Sequence, residues 1–171
     1  MIREKILLKL MSDDLRALHA SALALEKDLH RLSSEIDSHD IDSLAALIAQ
    51  INCAGFAPID AMLREAGVID HQSAASTRTV LNGVLAEAGM TAERGESRRL
   101  GAANAISIMR RAARYMEMYC SSLADSAARL RLNKLAGHLR AWAREWIGLE
   151  LNINAVAARP RRERESAFAA A

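Results

Sequence analysis

The sequence predicts an all-α domain, and three observations support this. Glycine (8 residues), proline (2 residues) and aromatic residues (4%) are scarce, whereas sheets need turn residues and favour aromatic side chains. Apolar residues make up 51% of the chain and are mostly Ala, Leu and Met, which favour helices. They recur at alternating spacings of three and four along several long segments. With 171 residues, the chain is long enough for one such domain.

The first long helix has an apolar stripe over residues 15–36. We expect it to begin at Ser12, because Ser is a favourable N-cap and Asp13 and Asp14 follow in the first turn, where the helix dipole favours acids. Residues 2–10 are predicted to form a separate, short lead-in helix.

The second long helix is predicted over residues 42–66. Gly55 and Pro58 lie in its middle, and Gly67 marks its end. We expect a kink at Pro58, because proline removes one backbone hydrogen bond and its ring clashes with the preceding turn.

Two further long helices are predicted over residues 97–124 and 127–158, and the last has a strict seven-residue apolar repeat. A short helix at 77–88 lies in the link before them, which is long enough for a crossover. Four apolar stripes bury best against one another, which predicts a four-helix bundle over residues 1–158. The charged tail, 159–171, is predicted to be flexible.

Net charge and apolar runs limit the function classes. A formal charge of +2, from 23 basic and 21 acidic residues, argues against a nucleic-acid-binding protein. No apolar run is long enough to span a membrane, and none resembles a secretion signal. We therefore expect a cytoplasmic protein. Cys53 and Cys120 are predicted to be buried, reduced thiols. Contact with nucleic acid or acidic lipid stays an alternative for the tail only, because the tail is rich in arginine.

A few carboxylates and one histidine border the apolar stripes. Glu117 and Glu145 lie next to the stripes of the third and fourth long helices, and His138 lies two turns before Glu145 on the same side. Bundles use such residues to hold metal ions in their interior. The alternative for Glu117 is an ion pair with Arg114 or Arg110, since a buried charge needs a partner.

An ordered set of segments resembles a known family. Residues 13–19 carry an acidic-Leu-x-x-Leu opening, 81–89 match a short inserted helix, and 99–117 match an Ala-rich third helix that ends in aromatic-x-Glu. Across about residues 3–158 this order is similar to the YciE/YciF-type branch of the ferritin-like superfamily, which is linked to stress responses. The resemblance implies a ferritin-like four-helix bundle with a short extra helix between the second and third long helices.

The chain departs from this family at the residues that would bind metal. Ala22 stands where the family has a glutamate, and residues 50–56 contain no acid or histidine at the ligand positions of the second helix. The resemblance therefore implies a ferritin-like fold without a complete di-metal centre. The acidic residues that remain at matching positions are Glu117, Glu145 and Glu150.

These observations predict a non-enzymatic protein with a stress-associated or protein-interaction role. The enzyme-class alternative is a residual metal-binding protein or oxidoreductase, with iron or manganese at low occupancy, whose ligands would be Glu117, Glu145, Glu150 and His138. A further alternative is a helical adaptor whose tail recruits a partner.

Apolar residues outside the four stripes predict a homodimer, because one bundle interior cannot bury them all. We expect the lead-in segment or an outer face of the fourth long helix to contribute. The residues concerned are Ile6, Leu7, Leu10, Leu23, Leu130, Ile147 and Leu151.

Overall fold

The computed structural model describes residues 2–36, 38–65 and 98–159. No strand occurs in these ranges, so the predicted all-α class is confirmed. The predicted short helix at 77–88 and residues 160–171 of the tail lie outside them. The helices in the described ranges are α1 (Ile2–Ile36), α2 (His39–Phe56), α3 (Ile59–Glu65), α4 (Arg98–Arg129) and α5 (Asn133–Ala158).

Helix α1 runs without interruption past Ser12, so the predicted N-cap there is wrong. Ser12 lies within the helix and is only 3% exposed. Met11 and Leu15 are also buried, so the apolar stripe continues through this position. Residues 2–36 contain neither Gly nor Pro, and nothing in the backbone forces a break.

At Pro58, where a kink is predicted, the structure has a full break, which divides the second long helix into α2 and α3. Helix α2 starts three residues earlier than predicted, at His39, and Asp40 and Asp42 occupy its first turn. Because Pro58 has no backbone N–H to continue the ladder, α2 ends at Phe56 and the chain turns before α3.

The turn between α4 and α5 lies later than predicted, since α4 extends to Arg129 and α5 begins at Asn133. The amide of Leu132 donates to the carbonyl of Ala127 at 2.9 Å, and the amide of Arg131 donates to Ala128 at 3.0 Å. This pair of bonds is a Schellman motif, which needs one left-handed residue. Arg131 fills that place with a φ of 60°. No glycine stands at this position, so the usual sequence marker of a helix end is absent here.

Contacts near the helix ends fix the directions of the four long helices. Arg159, at the end of α5, pairs with Asp40, at the start of α2, with 2.8 Å between Nη1 and Oδ1. At the other end, His138 Nε2, near the start of α5, lies 2.7 Å from the carbonyl oxygen of Gly55, near the end of α2. Helices α2 and α5 are therefore antiparallel.

Helix α1 is also antiparallel to α4. Ile36, at the end of α1, lies 3.6 Å from where a Cβ atom on Gly101 would be, and Asp14 lies near enough to Tyr119 to affect its titration. Each long helix thus runs antiparallel to its neighbours, while α2 and α4 run in the same direction. The chain leaves α3 at one end of the bundle and enters α4 at the other.

The predicted apolar stripes form one core that all the described helices share. Its largest fully buried side chains are Trp146, Leu18, Leu25, Leu29, Ile41, Ile48, Ile108, Met109, Met116, Leu139 and Leu149. Within the described ranges, no helix is both long and apolar enough to cross a bilayer.

The prediction that both cysteines are buried holds for Cys120 and is wrong for Cys53, which is exposed. Ile51 and Asn52 take the inward positions of this turn of α2, and this leaves Cys53 and Ala54 on its outer side.

Candidate functional site

The carboxylates of Glu117 and Glu150 both have partners in the protein. Glu117 is partly buried and accepts a hydrogen bond from the Ser121 hydroxyl at 3.1 Å. Glu150 accepts a charge-assisted bond from Arg114, with 2.5 Å between Nε and Oε1. Arg114 therefore links α4 to α5 through Glu150, whereas the sequence suggested Glu117 as its partner.

His138 holds the end of α2 against α5. In the tautomer with a proton on Nε2, its ring donates to the carbonyl oxygen of Gly55 at 2.7 Å. Carbonyls in the last turn of a helix lack intrahelical donors, and a histidine can satisfy one of them. The contact gives His138 a structural role next to the break at Pro58.

The structure therefore does not bring the four predicted metal-ligand residues together at one site. Glu145 is exposed on α5, and the other three contact Ser121, Arg114 and Gly55. No group of three or more His, Cys, Asp or Glu side chains in the part of the chain that the structure describes could hold a metal ion. Metal binding through Glu117, Glu145, Glu150 and His138 stays a prediction.

Aromatic rings pack together where the end of α2 meets α5. Phe56 packs edge-on against Trp142, with 4.5 Å between ring centroids, and its other neighbour is His19 of α1 at 4.3 Å. Trp142 also lies directly on Gly55, where a Cβ atom would be 2.0 Å from its Cε2. These contacts join three helices at the end of α2.

Asn52 is the buried polar residue that the sequence analysis missed. It is 3% exposed, and its Nδ2 donates to the carbonyl of Ala22 in α1 at 3.4 Å. Its Oδ1 is buried and has no hydrogen-bond partner. The spacing of Asn52 predicts its burial, because Leu44, Ile48 and Asn52 follow one another at intervals of four and share one face of α2.

Apolar side chains are exposed mainly near the start of α1 and on the outer side of α5. Ile6, Leu7 and Leu10 are 55%, 43% and 54% exposed, and they fall within five residues of one helix. Of the predicted surplus, only Leu130 is not exposed, since it packs against the core. The remaining exposed large apolar residues are Leu23, Met118, Ile147 and Leu151.

The fold raises the pKa values of two side chains of α4, Cys120 and Tyr119. Burial, and to a smaller extent the Glu117 carboxylate, raises the pKa of the Cys120 thiol to about 12. Burial, with Asp14 and Tyr115 nearby, also raises the pKa of Tyr119 to about 12. Both groups are therefore neutral near pH 7, and Cys120 lacks the thiolate that a nucleophile needs.

A cleft of about 180 Å³ lies beside the α4–α5 turn, between Met62 and Leu135. Its charged lining residues Glu65, Arg131 and Lys134 are all exposed. Exposed charges hold their partners weakly in water, so this cleft offers no preorganised chemistry.

Comparison with family models, with curated proteins and with solved structures finds no match to the chain. The likeness to the YciE/YciF-type family therefore rests on the sequence segments themselves. What the described structure adds is an antiparallel bundle of four long helices, an interior filled by packed side chains, and a group of exposed apolar residues.

Proposed function

We propose that this protein is a ferritin-like bundle without a complete di-metal centre, and that it acts by binding other protein chains, first of all a second copy of itself. A stress-associated role is part of the proposal because the family that the sequence resembles is linked to stress responses. The ferritin-like assignment is supported by the helix directions, because one long crossover between two helix pairs is the topology of ferritin-like folds.

Two observations in the interior support a core without a metal centre. Ala22 is fully buried and offers only its carbonyl, which binds Asn52. Trp142 and Trp146 are 2% and 0% exposed and occupy the inner face of α5. Two divalent ions need several negative ligands to offset their charge, and these residues supply none.

The exposed group Ile6, Leu7 and Leu10 is the observation that carries the interaction role. These residues lie one turn apart or less on α1, so they form one continuous surface, which we call the N-terminal apolar surface. Contiguous exposed apolar surface usually marks an interface. A two-fold dimer is the commonest closed assembly that covers such a surface with an identical one.

Light scattering coupled to gel filtration at micromolar concentration tests this proposal. We expect the wild-type protein to have twice the 18.7 kDa mass of one chain. The double variant Leu7→Ser, Leu10→Ser should shift to the monomer mass. Leu151→Ser is the matched control, because Leu151 is 65% exposed on α5, away from the N-terminal apolar surface, and this variant should stay dimeric.

A wild-type mass of one chain that does not rise with a tenfold increase in concentration would contradict self-association. Dissociation by Leu151→Ser, with the double variant unchanged, would instead place the interface on the outer face of α5 and contradict the surface chosen here. Circular dichroism of each variant ensures that loss of mass is not loss of folding.

A further inference from the structure

Three buried polar atoms without partners belong to α2 and α5, two helices that pack against each other. They are the Asn52 carbonyl oxygen, Oδ1, and the indole nitrogens, Nε1, of Trp142 and Trp146. All three residues are at most 3% exposed, so solvent outside the protein does not reach them. Leaving such groups without hydrogen bonds is unfavourable, and buried polar groups in folded proteins are almost always paired.

The packing places these residues at neighbouring levels of the bundle. Trp142 lies against Gly55, and Asn52 is one turn before Gly55 on α2. Since α2 and α5 are antiparallel, the next turn of α5, which carries Trp146, comes level with Asn52. Both indole groups therefore belong to the same stretch of the α2–α5 contact as the asparagine.

The hydrogen bond to α1 fixes the orientation of the Asn52 amide. Its Nδ2 must face the Ala22 carbonyl in order to donate, because the reversed orientation would set two acceptors against each other. Oδ1 therefore points away from the Ala22 carbonyl and is free to accept. The three groups then comprise one acceptor and two donors.

We propose that α2 and α5 enclose an internal water molecule that bridges Asn52 to the two indole N–H groups. A water molecule can accept two hydrogen bonds and donate two, so it can accept from Trp142 and Trp146 and donate to Asn52 Oδ1. Buried waters in proteins typically make about three hydrogen bonds to polar groups that have no other partner. The bridge fixes the level at which α2 pairs with α5.

A high-resolution crystal structure of the full chain and a solution measurement test the bridge. The crystal structure should show an ordered water within hydrogen-bond distance of Asn52 Oδ1 and of both indole Nε1 atoms. In solution, the indole protons should show magnetisation transfer to a long-lived water. The chain has two tryptophans, so Trp146→Phe assigns the two indole signals.

Asn52→Leu should abolish this transfer, because it removes the group that holds the water. Asn152→Leu is the matched control, since Asn152 is exposed on α5 and its loss should leave the transfer unchanged. If Asn52→Leu does not fold, the wild-type measurements decide. A direct bond between an indole N–H and Asn52 Oδ1, or a wild-type protein without long-lived water at either indole, would overturn the proposal.

Discussion

The indole ring of Trp142 occupies the space that a side chain at Gly55 would need. A Cβ atom at position 55 would lie 2.0 Å from Cε2 of the ring and 2.3 Å from Nε1. Trp142 is buried, and the Phe56 ring packs against it at 78° to its plane, so Trp142 has little freedom to move away. This contact sets how closely α2 approaches α5. No residue spacing in the sequence predicts it.

Gly55→Ala should therefore destabilise the protein, by about 1–3 kcal/mol, as overpacking in a dense core does. Urea unfolding followed by circular dichroism measures this. Gly148→Ala is the control, because a Cβ atom there meets nothing within 4 Å. It should stabilise α5 by about 0.5–1 kcal/mol, since alanine favours helix over glycine. Equal effects of the two substitutions would show that Trp142 does not pack on Gly55.

Truncation of Leu139 tests the apolar stripe of α5. Leu139 is fully buried, so Leu139→Ala should lower the free energy of unfolding by about 2–5 kcal/mol. Leu151→Ala, on the exposed side of the same helix, should change it by less than about 0.5 kcal/mol. An unchanged denaturation midpoint for Leu139→Ala would mean that this face of α5 is not in the core.

In the α4–α5 turn, an arginine has a backbone conformation that glycine would adopt without strain. Arg131 has a φ of 60°, a conformation that is unfavourable for side chains with a Cβ atom. Arg131→Gly should raise the free energy of unfolding by roughly 0.5–1 kcal/mol, after allowance for the extra freedom of glycine in the unfolded chain. Arg129→Gly, at the last residue of α4, should instead lower it, because glycine is unfavourable in a helix. A loss of stability in Arg131→Gly would argue against the left-handed turn.

The two cysteines should differ in reactivity. Only Cys53 should react with a thiol reagent in the native protein at pH 8, because Cys120 is buried and its pKa is about 12. Ellman titration should therefore give one thiol per folded chain and two after denaturation. Cys53→Ser should remove the native signal. Rapid labelling of Cys120 in the folded chain would contradict its place in the core.

Periodicity predicted the helices well, because it reports which face of each helix is buried. It placed Leu139, Trp142 and Trp146 correctly on the inner face of α5. Boundaries were less accurate wherever they depend on tertiary contacts. Ser12 has the chemistry of an N-cap, yet the burial of its neighbours keeps it inside α1.

The candidate site was harder to predict, because a pairing between helices cannot be read from spacing within one helix. Arg114 is three residues from Glu117, but its contact in the fold is Glu150, 36 residues away. His138 was grouped with Glu145 by spacing, whereas its ring binds the Gly55 carbonyl of another helix. Asn52 lay on the apolar stripe of α2 and was overlooked as a polar residue in the core.

Elemental analysis of the purified protein after expression in metal-rich medium tests whether the bundle interior is a packed core without a complete di-metal centre. We expect iron, manganese and zinc each at well below one ion per chain, because Ala22 and Asn52 supply no carboxylate and the indoles of α5 fill the interior. About two metal ions per chain, lost in Glu117→Gln or Glu150→Gln, would contradict such a core and establish the metalloprotein alternative.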